Sequence, residues 1–314
     1  MNDQGPIEGR SIVDWTAVDW RSLGIATHQH FPETSSTNDV ARSTTGAMPR
    51  EAFPLLITCE RQTQGRGRNG RQWWHREGGL ACSIVLPLPA PERNHPAGLS
   101  NAAGRLAIWT AICLQETAAH FLPDQLCQIK WPNDLMIADR KNAGILIESV
   151  PTVPRHPSHS AISSEQFRNP SSLVVVGIGV NINNRSVSSE LPGTDWFSWA
   201  ETNRTFVVPT VLADFLARWL PRMESWPPPM SLLQPRFTAV DWLHGKRLEV
   251  LATGAWQILP NGDVAIANMD HGQKEPQTFL GSYAGIDPQG FLRLCVDNGE
   301  LRIFPSVHRV HALP

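Results

Sequence analysis

The residues best suited to chemistry lie between positions 60 and 74, in the run Glu-Arg-Gln-Thr-Gln-Gly-Arg-Gly-Arg-Asn-Gly-Arg-Gln-Trp-Trp. Its glycines and arginines are Gly65, Gly67 and Gly70, and Arg66, Arg68 and Arg71. Glycine allows the backbone to turn tightly and to approach a ligand. Arginine supplies forked donors that match carboxylate and phosphate oxygens. The segment therefore predicts a loop that closes over an anion.

The same glycines also satisfy the G-x-G-x-x-G spacing of a dinucleotide-binding turn, which requires a helix directly after them. Here residues 55–59 predict a strand before the loop, and residues 80–86 predict another strand after it. A loop that joins two strands is the better interpretation. For this segment alone, a solvated basic turn remains the alternative.

A second polar group interrupts a predicted strand at Lys130-Trp131-Pro132-Asn133-Asp134. Proline removes a donor from the ladder, and Asn and Asp cap turns with their own side chains, so an ordinary turn is an equally good interpretation. Lys141 then opens a nearly continuous apolar strand. Its ammonium either reaches solvent or points into a pocket where an anion compensates its charge.

A third run, at 173–183, predicts a buried strand. Gly177 and Gly179 permit close approach to it, and Asn181 at its end can both donate and accept hydrogen bonds.

The elements that must position these groups are predicted from periodicity. Strands are expected at 55–59, 80–86, 127–131, 135–138, 144–149 and 173–180, and helices at 37–43, 100–120 and 208–219. In the long helix, Leu106, Trp109, Ile112 and Cys113 share one apolar face. Because helices and hairpin-like strands alternate irregularly, the pattern predicts an α+β fold with a mixed sheet. After Val240, short β-like runs predict a small C-terminal β domain.

Composition limits the class of protein. The 314 residues, 41% of them hydrophobic, suffice for one or two domains, and a formal net charge of −2 argues against a chain that binds nucleic acid or a membrane surface throughout. Five cysteines without a C-x-x-C pair are expected to be reduced, small hydrophobic residues. With no apolar leader and no apolar run of about 20 residues, we expect a cytoplasmic protein. Residues 87–96 and 150–172 interrupt the predicted strands and helices, and we expect the second stretch to be an extended or disordered loop.

Taken together, four ordered segments over residues 33–184 resemble the biotin protein ligase family, the biotin-[acetyl-CoA-carboxylase] ligases. The first is Glu33-Thr34-Ser35-Ser36-Thr37-Asn38, and the second is the Gly-Arg-Gly-Arg-Asn-Gly-Arg segment at 65–71, called the Gly-Arg loop below. The third is Lys-Trp-Pro-Asn-Asp at 130–134 with Lys141 and Gly-Ile-Leu at 144–146, and the fourth is Gly-Ile-Gly-Val-Asn at 177–181. The resemblance implies a mixed-sheet catalytic domain at 33–238, followed by an SH3-like β-barrel at 239–314. Residues 1–32 would be an N-terminal extension, too short for the DNA-binding domain of some members, so no DNA partner is expected.

The resemblance also implies a two-step reaction. Biotin and Mg²⁺-ATP would give biotinyl-5′-AMP and pyrophosphate, and a lysine of a biotin carboxyl carrier protein would then attack the mixed anhydride. The implied catalytic residues are Arg68, Lys141 and Asp134, with Asp134 orienting Lys141, holding magnesium or assisting deprotonation of the incoming lysine. Magnesium would arrive with ATP, and the family allows a homodimer.

The implied biotin-binding residues are Ser36, Thr37, Asn38, Gln62, Gly65, Arg66, Gly67, Arg68, Lys141 and Gly144. The implied ATP-binding residues are Arg68, Arg71, Trp73, Asn133 and Asn181, with Trp73 stacking on adenine. The C-terminal segment lacks the Gly-Glu pair often found in the family, which leaves a contact between Arg309 and phosphate open. A lipoate or octanoate ligase of the same fold is the first alternative, although its usual Arg-Arg-x-Ser-Gly-Gly-Gly loop is absent. A biotin-binding regulator without catalytic activity is the second.

Overall fold

The computed structural model describes residues 14–45, 48–87, 98–150, 173–184, 196–225, 228–258, 264–266 and 275–313. The predicted loop at 150–172 lies outside the described residues except for Val150, and the proline-rich stretch at 87–96 except for Pro87.

The first part of the chain alternates strands and helices. In chain order these are β1 (Thr27–Thr34), α1 (Thr37–Thr45), β2 (Leu55–Gln62), β3 (Leu80–Pro87), α2 (Gly98–Phe121), β4 (Cys127–Lys130), β5 (Asp134–Ile137), β6 (Arg140–Val150), β7 (Leu173–Val180), α3 (Val208–Trp219) and α4 (Met230–Thr238). Every strand and helix predicted in this part is present, with ends that differ by a few residues.

The strands β1 to β7 form one sheet in the order β1-β2-β3-β7-β6-β5-β4. Strands β1 and β2 are parallel, and the other neighbours are antiparallel. The sheet is therefore mixed, which confirms the predicted α+β class. The end of β2, the start of β6 and the end of β7 lie along the same edge of this sheet, with β3 between β2 and β7, and the three sequence motifs begin or end at this edge.

Apolar burial explains why this sheet and its helices form. Strands β3 and β7 are buried along almost their whole length because they lie in the middle of the sheet. The predicted apolar face of α2 is buried, with Leu106, Trp109, Ile112 and Cys113 each at most 1% exposed. Trp15 and Trp20, which precede β1, are buried in the same core.

Two elements are missing from the prediction. Strand β1 reads Thr-His-Gln-His-Phe-Pro-Glu-Thr and has little apolar alternation, because it is an edge strand, where proline and polar residues are tolerated. Helix α4 begins directly after Pro229 and contains Pro235, and no helix was predicted at this position. Proline is compatible with a helix start, and packing of Leu233 and Phe237 offsets the bond lost at Pro235.

The last part of the chain contains β8 (Arg247–Ala252), β9 (Trp256–Ile258), β10 (Val264–Ile266), β11 (Gln277–Ile286), β12 (Leu292–Val296), β13 (Leu301–Phe304) and β14 (Arg309–Ala312). They form a second, antiparallel sheet in the order β10-β9-β13-β12-β11-β8-β14. The expected C-terminal β structure is present. Its closure as an SH3-like barrel and the domain boundary at 238/239 stay predictions.

The cysteines largely follow expectation. None is in a disulfide, and all but Cys295 are buried. Burial raises the pKa of the Cys59 thiol to about 12, so this thiol stays protonated and acts as a small hydrophobe. Over the described part of the chain, no helix has both the length and the apolar character needed to cross a bilayer.

Candidate active site

A cavity of about 430 Å³ lies at the end of the first sheet where β2, β6 and β7 meet the Gly-Arg loop. The predicted site residues that line it are Ser36, Thr37, Asn38, Gln62, Arg66, Gly67, Arg68, Arg71, Trp73, Asn133, Asp134, Lys141, Gly144 and Asn181. Gly65 is the one predicted residue outside this lining. The chain thus brings segments more than a hundred residues apart to one cleft.

The Gly-Arg loop folds as a small hairpin. Its neck is closed by the Trp73 N–H, which donates to the Gly65 carbonyl at 2.8 Å, and by the Gly67 N–H, which donates to the Arg71 carbonyl at 2.7 Å. A Cβ on Gly65 would lie 2.5 Å from the Trp73 carbonyl oxygen, so Gly65 permits this closure. Asn69 and Gly70 turn the tip with φ values of 57° and 71°. Strand β3 follows, which excludes the dinucleotide-binding interpretation.

The three arginines of the loop have different partners. Arg66 Nη2 lies 2.6 Å from Asp39 Oδ1 and 3.4 Å from Glu148 Oε2. Arg71 Nη2 donates to the His308 carbonyl oxygen at 3.1 Å. The loop is thus held at both of these points, although Arg66 and Arg71 themselves remain exposed to solvent.

Arg68 is the least exposed of the three arginines. Its Nη1 donates to the neutral amide oxygen of Asn133 at 3.3 Å. Burial lowers its pKa, and the nearby Asp134 carboxylate opposes that shift. A guanidinium in this position remains charged and can bind an anion that enters the cavity.

The inner floor of the cavity is a neutral hydrogen-bonding network. Gln62 Oε1 accepts from the Thr37 N–H at 2.8 Å and from the Thr37 hydroxyl at 3.1 Å. The Asn38 amide oxygen lies 2.6 Å from the Ser83 hydroxyl oxygen, which is itself 2.8 Å from Thr37 Oγ1. Asn38 and Ser83 are almost fully buried, which fixes the direction of each donor and acceptor.

Asp134 and Lys141 form the charged side of the cavity. Lys141 Nζ lies 2.7 Å from Asp134 Oδ1, across the β5–β6 hairpin. Asn133 is held in turn by its Nδ2, which donates to the Ile145 carbonyl at 2.7 Å. Lys141 thus lines the cleft, where Asp134 compensates its charge, while its side chain remains 40% exposed to solvent.

Trp73 covers the sheet beside this pair. Its indole lies over two glycines of β6 and β7, because an added Cβ on Gly179 would be 2.3 Å from Trp73 Cε2 and one on Gly144 would be 3.3 Å from Cζ3. Lys141 Nζ is 5.7 Å from the indole centroid, which is within cation–π range. Gly179 and Gly144 therefore make room for an aromatic side chain at this point.

At the end of β7, Asn181 belongs to a rigid polar corner. Its Oδ1 accepts from Asn184 Nδ2 at 2.8 Å. Its backbone carbonyl accepts from Asn142 Nδ2 at 2.8 Å, and Asn142 is fully buried. Asn142, adjacent to Lys141, thereby fixes the start of β6 against the end of β7.

The electrostatic character of the cavity is cationic. Among the described lining residues, Asp134 is the only acid, whereas the basic side chains are Arg66, Arg68, Arg71, Lys130, Lys141 and Arg309. Burial lowers the pKa of Lys130, and the Asp134 carboxylate opposes the shift. Arg309 is itself paired with Glu249 at 2.6 Å. This balance suits a ligand with several negative charges.

Sequence reasoning missed several residues that build the site. Ser83 and Glu148 are hidden inside apolar strands, and His75 follows the two tryptophans of the loop. His75 Nδ1 accepts from the Gln62 N–H at 3.2 Å, and burial lowers its pKa to about 4. Val307, His308 and Val310 also line the cavity beside Arg309, the one residue of this segment that was considered from sequence. A buried polar residue inside an apolar strand was the available signal for Ser83.

The chain is similar to known protein ligases in sequence and in fold. Residues 31–163 match the model of the biotin/lipoate A/B protein ligase family. The chain is 28% identical over 258 residues to the bifunctional ligase/repressor BirA of Bacillus spizizenii, covering 80% of this chain but 64% of that protein. It is 32% identical over 150 residues to the biotin–[acetyl-CoA-carboxylase] ligase of Paracoccus denitrificans, covering 48% of this chain and 52% of the relative.

Among solved structures, the fold resembles the biotin protein ligase of Aquifex aeolicus in complex with biotin and ATP. The TM-score is 0.66 at 18% identity, and the match covers 91% of this chain and 99% of that one. A biotin protein ligase-like protein of unknown function from Silicibacter sp. gives a TM-score of 0.53 at 13% identity, with 90% and 94% coverage.

Proposed function

Because the chain belongs to the biotin/lipoate A/B protein ligase family, among its biotin protein ligases, we propose that it attaches biotin to a protein in two ATP-dependent steps. The first step forms biotinyl-5′-AMP and pyrophosphate. The second transfers biotin to a lysine of a biotin carboxyl carrier protein. Because the reaction consumes ATP, we also propose that the protein acts in the cytoplasm.

The observation that carries this proposal is the division of the cavity into a neutral end and a cationic end. The neutral end, built by Thr37, Asn38 and Gln62, offers directed donors and acceptors that suit an uncharged ring with both N–H and C=O groups. The cationic end contains Arg68 and Lys141 and suits the oxygens where a carboxylate meets a phosphate. Biotin has a ureido ring at one end and a carboxylate at the other.

In the first step, a biotin carboxylate oxygen attacks the α-phosphorus of ATP. The bond from that phosphorus to the bridging oxygen breaks, and pyrophosphate leaves with the electron pair. Negative charge accumulates on the phosphoryl oxygens and the leaving group, so cations that are already in place stabilise the transition state most. Arg68 and Lys141 are held by Asn133 and Asp134, which makes them such preorganised cations.

In the second step, the neutral amine of the acceptor lysine attacks the carbonyl carbon of the mixed anhydride. The carbon–oxygen bond to AMP breaks, AMP leaves as an anion, and the amine nitrogen loses one proton, which passes to the solvent. The 2.7 Å contact to Lys141 supports the orienting role of Asp134 among its three expected roles. The hairpin loop over the cavity would keep water from the hydrolysable intermediate between the two steps.

Magnesium fits this site only as a companion of the nucleotide. Among the described residues, no group of three or more His, Cys, Asp or Glu side chains is arranged to hold a metal ion. Mg²⁺ commonly keeps several waters and binds through substrate phosphates and one or two carboxylates. Asp134 and the amide oxygen of Asn133 are the oxygen donors that would face it, and it would neutralise phosphate charge there.

The test is biotinylation of a purified carrier domain. The chain is incubated with biotin, Mg²⁺-ATP and the carrier, and intact mass together with peptide mapping locates any added biotin. We expect one biotin on the carrier lysine and none when that lysine is changed to arginine. No transfer to the carrier in the presence of ATP and biotin would contradict the proposal.

A further inference from the structure

The carboxylate of Glu148 joins the Gly-Arg loop to the floor of the cavity. Glu148 lies on β6, and its side chain is 22% exposed. Its Oε2 accepts from Asn38 Nδ2 at 2.7 Å and also lies 3.4 Å from Arg66 Nη2. One oxygen atom therefore serves a residue of the floor and a residue of the loop.

The contact with Asn38 fixes which way the buried amide points. Asn38 has one side-chain acceptor and one donor group in the floor, with its Oδ1 facing the Ser83 hydroxyl and its Nδ2 facing Glu148. A carboxylate accepts only, so it holds the NH₂ group toward β6 and leaves the opposite orientation unfavourable. Without the charge, the two amide orientations become closer in energy.

The contact with Arg66 fixes the loop from the same point. Arg66 bridges Glu148 on β6 and Asp39 on α1, so the root of the hairpin is held against two elements that bracket the floor. The two hydrogen bonds that close the hairpin neck begin directly beside Arg66, at Gly65 and Gly67. Loss of the Glu148 charge would free Arg66 on one side and Asn38 on the other.

We propose that Glu148 is a positioning residue that couples closure of the Gly-Arg loop to the orientation of the Asn38 amide. This proposal rests on the proposed function for its ligand, biotin, but the coupling itself is a property of the free protein. Arg66 then acts through its carboxylate partners, and binding of the negatively charged groups is left to Arg68 and Lys141. The loop and the floor respond to a ligand together.

The experiment is a double-mutant cycle with Glu148→Gln and Arg66→Gln, read by calorimetric titration with biotin. Glutamine has the same shape and removes the charge. We expect each single variant to bind biotin about tenfold more weakly, and the double variant to be no weaker than either single one, because both changes break the same link. Additive losses of about a hundredfold, or unchanged affinity in Glu148→Gln, would overturn the coupling.

Hydrogen exchange of the ligand-free proteins supplies a second readout that does not depend on biotin. Glu148→Gln should speed exchange of the Gly67 and Trp73 amides about tenfold while leaving the core of α2 unchanged. Arg42→Gln is the matched control, because Arg42 Nη1 lies 3.5 Å from Glu148 Oε1 and not from Oε2, the oxygen that Arg66 and Asn38 share. It should leave exchange and biotin affinity within about twofold of wild type.

The two readouts separate the possible failures. If wild type does not bind biotin, the proposed function fails, whereas faster loop exchange in Glu148→Gln still supports the coupling. If wild type binds biotin and the loop amides of Glu148→Gln exchange as in wild type, the coupling is wrong. Should Glu148→Gln not fold, Arg66→Gln on the exposed loop tests the same link through exchange at the start of α1, where faster exchange is expected and unchanged exchange refutes it.

Discussion

Gly177 on β7 determines whether Asn38 can occupy the cavity floor, and its replacement by alanine is the sharpest test of that floor. A Cβ at position 177 would lie 2.3 Å from Asn38 Oδ1 and 2.9 Å from its Cγ. Ordinary contact begins at 3.4 Å, so the amide must move by about 1 Å. Because Asn38 is 4% exposed, it has little space in which to move without losing its partners.

The expected loss of biotin affinity in Gly177→Ala follows from the hydrogen bonds that this movement of the Asn38 amide breaks. Asn38 would lose a contact of 2.6 Å to the Ser83 hydroxyl and one of 2.7 Å to the Glu148 carboxylate. A neutral hydrogen bond contributes about 0.5–1.5 kcal/mol and one to a charged group about 1.5–3 kcal/mol. In the proposed complex biotin meets the amide in its native orientation, so restoring that orientation costs binding about 2–4 kcal/mol, which corresponds to an affinity at least about 30-fold weaker.

The assay is calorimetric titration with biotin, together with chemical denaturation to verify folding. Gly104→Ala in α2 is the matched control, since nothing lies within 4 Å of its added Cβ and alanine favours a helix. We expect Gly104→Ala to bind biotin as wild type does. If folded Gly177→Ala also binds biotin with wild-type affinity, the assigned role of the Asn38 amide is refuted.

Three further predictions concern the charge of Arg68, the hydrogen bond that His75 accepts, and the dependence of folding stability on pH. Arg68→Ala should fold normally but lower biotin-dependent pyrophosphate exchange about 10²- to 10³-fold, because it removes a preorganised cation; exchange within threefold of wild type would contradict this role. His75→Leu should raise the KM for biotin about tenfold, because it leaves the Gln62 N–H without its acceptor. His75→Asn retains an acceptor near the position of Nδ1 and should not raise the KM. Equal KM values for the two variants would contradict this role of His75. Burial lowers the pKa of His28 and of His75 to about 4, below the usual 6.5 of an exposed histidine, so the unfolded chain binds more protons between these values. The free energy of unfolding should therefore fall as pH decreases from 6.5 to 4, and the buried His75 contributes about 3 kcal/mol of this fall at most. Chemical denaturation at pH 7 and at pH 4.5 measures it, and the difference in free energy of unfolding between the two pH values should be smaller in His75→Asn than in wild type.

Local patterns were sufficient to predict the elements that are apolar or punctuated by glycine. The central strands β3 and β7 are buried runs, and α2 has a continuous apolar face, so periodicity located each within a few residues. The same patterns could not locate β1, because an edge strand is not required to be apolar. They also did not predict α4, because it follows directly on Pro229 and contains Pro235, and proline more often marks the end of a helix than its interior.

The residues of the site likewise divide into those that ordered motifs predict and those that no local pattern indicates. Ser36, Lys141 and Asn181 stand in ordered motifs, so their convergence was predictable from the resemblance, and the structure places them around one cavity. Glu148 and His308 act through contacts with residues 82 and 237 positions away, and no local pattern encodes such distances. Their contributions arise from sheet register and from the packing of the C-terminal sheet against the loop.

The central claim, that the neutral floor and the cationic end of the cavity together activate biotin, is tested most directly by isotope exchange between pyrophosphate and ATP. The purified chain is supplied with Mg²⁺-ATP and labelled pyrophosphate, first with biotin and then with lipoate or octanoate, without any carrier protein. We predict exchange that depends on biotin and is at the background level with the fatty acids. Exchange with lipoate or octanoate alone, or no exchange with biotin, would contradict the account.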